Sequence, residues 1–215
     1  MLLGGFLPLS LCDYPGKLAA VVFTQGCNYR CPFCHNGGLI ARQPAISLPI
    51  AEVLADLKER RNFLDGVVVS GGEPTLHADL KVFLSALKDM GFTIKLDTNG
   101  SRPRVLRELL DLQLLDYIAM DVKASLLRYA VLAGVFADIG AIQESIALIA
   151  ESGVQHQFRT TFVPPLQSPE DLTSIRAMLP AGSTHLIQDF QPEHALDKTL
   201  LTVARQILRK TEKSY

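Results

Sequence analysis

The sequence has no excess of charge. Its 215 residues carry 21 Lys and Arg against 22 Asp and Glu, a formal net charge of −1, and like charges form no blocks. Neither nucleic acid nor a membrane surface is an expected partner, because both are captured by clustered basic residues. Long apolar runs are missing too: none reaches the roughly 18 residues that a membrane-spanning helix needs. The apolar start, Met1-Leu2-Leu3-Gly4-Gly5-Phe6-Leu7, follows no basic residue and leads to no small-residue cleavage site, so no signal peptide is expected. Cysteine is scarce, with four in all, and three of them share one short loop. That crowding does not look like a disulfide framework, and it suits a reducing, cytoplasmic compartment. Cys12 stands apart and reads as a small buried residue rather than a ligand. Linkers, low-complexity tracts and repeats are absent as well, which leaves a single domain over residues 1–215.

What is present is a 48% hydrophobic chain, enough for one well-filled core. Short apolar strands alternate with helical patterns about six times. Strands are expected at residues 17–24, 66–70, 93–97, 117–122, 156–163 and 184–189. The first helical face is Ile50, Val53, Leu54 and Leu57, after a Ser47 cap. The second is Leu80, Phe83, Leu84 and Leu87, before a stop at Gly91. Ser101 with Pro103 opens a third, carrying Val105, Leu106, Leu109 and Leu110. Ile139, Ile142, Ile146 and Ile149 mark a helix closed near Gly153, after a less regular stretch over residues 124–135. Ser168-Pro169-Glu170-Asp171 starts another, with Leu172, Ile175 and Leu179. The last repeats Leu196, Leu200, Val203, Ala204, Ile207 and Leu208. Repeated strand–helix units predict an α/β fold with a parallel sheet. A complete eight-unit barrel takes about 250 residues, so six units predict an open, partial (β/α)6 TIM-like barrel.

Reacting groups in such a fold sit at the C-terminal ends of the strands. Polar or ligating residues fall there in all six units. They are Cys27, Cys31 and Cys34; Gly71-Gly72-Glu73-Pro74; Asp97-Thr98-Asn99-Gly100; Asp121-Val122-Lys123; Arg159-Thr160-Thr161; and Gln188-Asp189-Phe190. The cysteines have the spacing C-x3-C-x2-C. A structural zinc site wants four protein ligands, and so does a saturated iron–sulfur cluster. Three thiolates leave one iron of a cubane cluster open to another molecule. The competing reading is zinc with His35 or Cys12 as fourth ligand, in a non-catalytic zinc-binding module, although no second ligand pair is present. Bland readings stand beside the other motifs too. Gly71-Gly72 can be an ordinary turn, Asp97 and Asp121 can be capping or loop residues, and His35 can cap a turn. Arg159, a charge in an apolar strand, can be a structural ion pair.

Taken with Phe33 before the last cysteine, Asp13-Tyr14-Pro15-Gly16-Lys17, Thr24-Gln25-Gly26-Cys27 and Cys34-His35-Asn36, these motifs resemble radical S-adenosylmethionine (SAM) enzymes. Within them the chain is similar to the activases of glycyl radical enzymes. It looks most like the short activating proteins of anaerobic ribonucleoside-triphosphate reductase, over residues 11–190. The resemblance implies a [4Fe–4S] cluster on Cys27, Cys31 and Cys34 whose fourth iron is chelated by SAM. It implies that Gly71 and Gly72 let backbone carbonyls approach the SAM ammonium while Glu73 adds negative charge. It puts Asp97 and Asp121 near the methionyl carboxylate, with Lys123 or a bound cation relieving their repulsion, and counts Asn99 among the SAM-binding residues. Phe33, His35 and the backbone of Val122 would lie along the nucleoside, and Arg159 would meet SAM or an incoming peptide. Gln188 and Asp189 would have similar roles. The implied activity is reductive cleavage of SAM and hydrogen abstraction from a glycine of a partner glycyl radical enzyme. A flavodoxin- or ferredoxin-type protein would donate the electron. The short segment over residues 36–47 leaves no room for a ferredoxin-like insertion. Activases of pyruvate formate-lyase share nearly every motif, so they stay an alternative, as does a radical SAM enzyme acting on a small molecule.

Overall fold

The computed structural model describes residues 1–41 and 48–204. Seven strands form one sheet in simple sequence order. They are β1 (Leu3–Ser10), β2 (Ala19–Thr24), β3 (Gly66–Gly71), β4 (Thr93–Thr98), β5 (Tyr117–Asp121), β6 (Gln155–Phe162) and β7 (Thr184–Asp189). From β2 to β7 every neighbour is parallel, and β1 alone runs antiparallel, against β2. The six expected strands are therefore present within a residue or two of their expected ends. The central strands β3, β4 and β5 are buried and largely apolar through their middles because both faces are covered, whereas β7 is largely exposed. Val67, Val68 and Val69 are completely buried, as are Ile94, Leu96, Ile118, Ala119 and Met120.

Helices α1 (Ile50–Glu59), α2 (Leu80–Asp89), α3 (Pro103–Asp111), α4 (Tyr129–Ala133), α5 (Ile139–Glu151) and α6 (Pro169–Met178) return the chain between strands. Their buried faces are largely those that the spacing marked: Val53 and Leu57; Leu80, Phe83, Leu84 and Leu87; Leu106 and Leu109; Ile142, Ile146 and Ile149. At the start of α6 the Asp171 carboxylate accepts the Ser168 N–H at 2.9 Å, the reciprocal half of a capping box.

Several expectations need correction. The first strand, β1, was not anticipated, because Gly4, Gly5 and Pro8 are poor strand residues. It is an edge strand with two register shifts, and Pro8 falls inside the second. Ser101 does not cap α3, which follows Arg102; the Ser101 hydroxyl instead accepts from the Asn28 amide at 2.9 Å. Cys12 is exposed, not buried. The irregular stretch holds a 3-10 turn at Leu126–Arg128 and then α4. The terminal helical residues begin at 199, so Leu196 precedes them and is 42% exposed. Ser47, Ile207 and Leu208 lie outside the described residues.

Candidate functional site

The loop after β2 is held by backbone contacts before any ligand is considered. The Gly26 and Cys27 N–H groups donate to the Leu39 and Ile40 carbonyls at 2.7 and 3.2 Å. The buried Gln25 amide ties the returning chain by donating to the carbonyls of Gly38 and Ala41, at 3.1 and 2.6 Å. Arg30 N–H donates to the Ala133 carbonyl at 2.8 Å, and Asp197 N–H to the Pro32 carbonyl at 2.8 Å, so α4 and the C-terminal segment clamp the loop from outside. All three loop cysteines are free thiols.

These thiols line a cavity of about 430 Å³ at the C-terminal ends of the strands. Phe33, His35, Gly71, Gly72, Asp97, Asn99, Asp121, Lys123 and Arg159 line it as well. Three expected residues, Val122, Glu73 and Asp189, are not among those that line it. Val122 is completely buried in the sheet, where its N–H donates to the Arg159 carbonyl at 2.8 Å. Glu73 is also completely buried. Its carboxylate accepts from Thr75 N–H (3.1 Å), the Thr75 hydroxyl (2.5 Å), the Thr98 hydroxyl (2.8 Å) and Asn99 N–H (2.6 Å). Burial pushes the Glu73 carboxyl up, and these four donors oppose it. Glu73 thus joins the β3 turn to the end of β4, with its charge spent on protein donors.

The two glycines also have a packing reason in addition to the one expected. Gly71 sits at φ +116°, and a Cβ there would overlap Thr24 backbone. A Cβ on Gly72 would overlap the Gly26 carbonyl, the residue before Cys27. Close packing of the β3 turn under the cysteine loop therefore already requires glycine, whatever approaches from the cavity.

The opposite wall is charged. Asp97 meets the Lys95 ammonium, the Ser70 hydroxyl at 3.0 Å and the Arg159 guanidinium at 3.3 Å. Arg159 Nε reaches Asp121 at 2.8 Å, and Asp121 reaches Lys123 Nζ at 2.9 Å. Burial alone would raise the Asp121 carboxyl, but Arg159 and Lys123 hold it well below the usual range. Burial likewise lowers Lys123 and Arg159, and the carboxylates beside them more than reverse that. The cations expected against the Asp97–Asp121 pair are thus supplied at least in part by side chains. Lys95 was not singled out from the sequence. It is a charge in an apolar strand, the same signal that drew attention to Arg159.

Burial pushes the Cys27 and Cys31 thiols up to about 11 and raises Cys34 too. Lys123 opposes this at all three, and its Nζ lies 5.9 Å from the Phe33 ring centre. Tyr29 N–H donates to Cys27 Sγ at 3.4 Å and the Asn99 amide to the same sulfur at 4.0 Å, the kind of contact that tunes an iron–sulfur potential. Tyr29 is in the cavity wall, and its hydroxyl is buried with no hydrogen-bond partner among the described residues. His35 turns toward the C-terminal segment: its ring stacks on Phe190 with centres 6.4 Å apart, and Nε2 accepts from Gln191 N–H at 3.4 Å. Burial keeps its pKa low, which suits an acceptor. Gln188 lines the cavity, as do Asp13 and Thr161 from quoted motifs, and Phe23 and Ser70, which carried no motif. Among the described residues, no three His, Cys, Asp or Glu side chains are arranged to hold a single metal ion. Thiols spread around a shared cavity fit a cluster of several irons, each taking its own ligand.

Residues 21–179 match the family model of the radical SAM superfamily. A candidate glycyl-radical enzyme activating enzyme of Methanocaldococcus jannaschii is 36% identical over 202 residues, 92% of this chain and 83% of that protein. Pyruvate formate-lyase 1-activating enzyme of Escherichia coli (strain K12) is 32% identical over 119 residues, 52% of this chain and 47% of that enzyme. The crystal structure of Streptococcus suis SuiB bound to S-adenosylmethionine superposes with a TM-score of 0.65 at 14% identity, covering 89% of this chain and 48% of SuiB. The match thus spans less than half the length of those last two proteins. The chain belongs to the radical SAM superfamily and, within it, to the glycyl-radical-enzyme activating enzymes. It is accordingly a radical SAM enzyme whose cofactors are a [4Fe–4S] cluster and SAM.

Proposed function

We propose that this chain, acting as a single domain in the cytoplasm, activates a glycyl radical enzyme, and that the partner is anaerobic ribonucleoside-triphosphate reductase. The observation that carries the reading is geometric. Three free thiols and an ordered array of charged side chains face one cavity at the strand ends. In this reading Cys27, Cys31 and Cys34 hold the cluster. When bound, cluster and SAM supply one-electron reductive cleavage and, from it, hydrogen-atom abstraction.

The chain's own residues do the rest. Lys123 and Arg159 present positive charge to a carboxylate entering the cavity. Asp121 and Asp97 fix those two cations. Phe33 and Tyr29, both buried, exclude water beside the thiols. Tyr29 offers a free hydroxyl donor, and Asn99 steadies Cys27. Gly72 and Glu73 act one step behind, by packing and bracing the cysteine loop. Phe33 and His35 flank the expected place of the nucleoside. A glycine suits the substrate because no side chain blocks approach to its Cα. A flavodoxin- or ferredoxin-type donor fits the one-electron demand.

The test uses anaerobically reconstituted protein with reductant and SAM. Adding the reductase should give an electron paramagnetic resonance doublet on the partner, lost when its radical glycine is changed to alanine. A doublet on pyruvate formate-lyase instead would move the assignment to that partner. Stoichiometric turnover of a free small molecule, with no partner radical from either enzyme, would contradict activation altogether.

A further inference from the structure

Two carboxylates close to a third, that of a bound amino acid, repel one another unless positive charge intervenes. A dissolved metal ion is one solution, and an internal side chain is another. The structure contains a candidate for the second. Lys95 lies in the middle of β4, between Ile94 and Leu96, and its side chain is 2% exposed. A buried ammonium is costly unless paired. Among the described residues its one ion pair is with Asp97. It does not line the cavity, so it is no ligand contact itself. From Asp97 the pairing continues through Arg159 at 3.3 Å, Asp121 at 2.8 Å and Lys123 at 2.9 Å. Signs alternate along the whole ladder, from the buried floor under β4 to the cysteine loop. Three cations oppose two carboxylates, so the ladder ends with one positive charge in excess on the cavity side.

We propose that Lys95 is a built-in counter-cation: it replaces a dissolved metal ion at the Asp97–Asp121 pair and positions Asp97 and Arg159 for SAM. Without Lys95, the only ion-pair partner left to Asp97 among the described residues would be Arg159, which Asp121 shares. With Lys95 holding Oδ1 of Asp97, Oδ2 is left to Ser70 and Arg159, and the guanidinium is fixed in one orientation. The ladder then needs no ion from solution. This inference rests on the assignment of the cavity as the SAM site.

The experiment measures SAM affinity of the reconstituted protein in potassium, sodium or magnesium chloride against choline chloride at equal ionic strength. Thermal melting without SAM is recorded on the same samples. The native protein should bind SAM equally well in all, within about twofold. Lys95→Met should bind about tenfold more weakly in choline, the scale of one uncompensated charge near a carboxylate, and recover with a small inorganic cation. Its melting temperature should drop in choline and rise again with that cation, whereas the native melting curve should not move. Lys95→Arg keeps a cation at Asp97 and should remain independent of the salt chosen. Strong salt-ion dependence of the native protein overturns the proposal, and so does Lys95→Met that behaves as native in choline. Should Lys95→Met not fold, the native and Lys95→Arg measurements still decide. Failure of the native protein to bind SAM in any salt would instead contradict the site assignment.

Discussion

The two walls of the cavity handle buried charge differently. Under the cysteine loop, Glu73 is fully buried and meets only uncharged donors, two N–H groups and two hydroxyls. Across the cavity, Asp97 and Asp121 are partly exposed, at 12% and 28% of their side-chain surface, and meet three cations. A carboxylate wired into neutral donors braces the fold. One held by side-chain cations at a cavity rim can exchange part of its pairing for a ligand. The first wall thus braces the cysteine loop, and the second presents paired charge to the cavity. Glycines follow the same division: Gly71 and Gly72 belong to the scaffold because backbone lies against them.

Gly72→Ala should break the contrast most severely. Its Cβ would push on the Gly26 carbonyl, so cluster content and SAM binding should fall together, read by iron and sulfide analysis beside a binding titration. Loss of SAM binding with a full cluster would return Gly72 to the SAM side. Next, Glu73→Gln should cost about 3 kcal/mol of stability, because an amide cannot satisfy all four donors. Asp121→Asn should cost about 1 kcal/mol and weaken SAM binding far more than Glu73→Gln does in its folded fraction. Denaturant melts and SAM titrations on the two variants separate the walls, and equal SAM losses would erase the distinction.

A smaller effect is expected from pH on the cluster-free protein. Burial raises the Cys27 and Cys31 thiols from 9.0 to about 11. Groups raised in the folded state contribute stability that is intact below the unfolded value and lost as pH rises through the folded one. Stability should therefore fall between about pH 9 and 11, and less steeply in Cys31→Ser. A flat alkaline profile would show that these thiols ionise freely in the fold.

The scaffold was less legible in sequence than the rim. Valine runs and helical spacing located six strands, most plainly the central ones that are buried on both faces. β1 escaped because an edge strand tolerates Gly4, Gly5 and Pro8, residues that argue against a strand elsewhere. The cysteine spacing and the charges at strand ends led directly to the cavity. The four donors around Glu73 were not legible because a motif gives position along the chain, not the direction in which a carboxylate points. Lys95 was legible in principle: an ammonium between Ile94 and Leu96 has no reason to be there without a partner. Gln25 and Tyr29 carried no such signal, since their roles depend on chain returning from residues 38–41 and on a packing neighbour at Tyr129.

Mössbauer spectroscopy of iron-57 reconstituted protein, recorded before and after adding SAM, tests most directly that three thiols hold a cluster open to SAM. One iron of four should change its isomer shift when SAM is added, while the other three stay as thiolate-held sites. Four irons that all ignore SAM, or a protein that takes up zinc and no iron, would contradict the account.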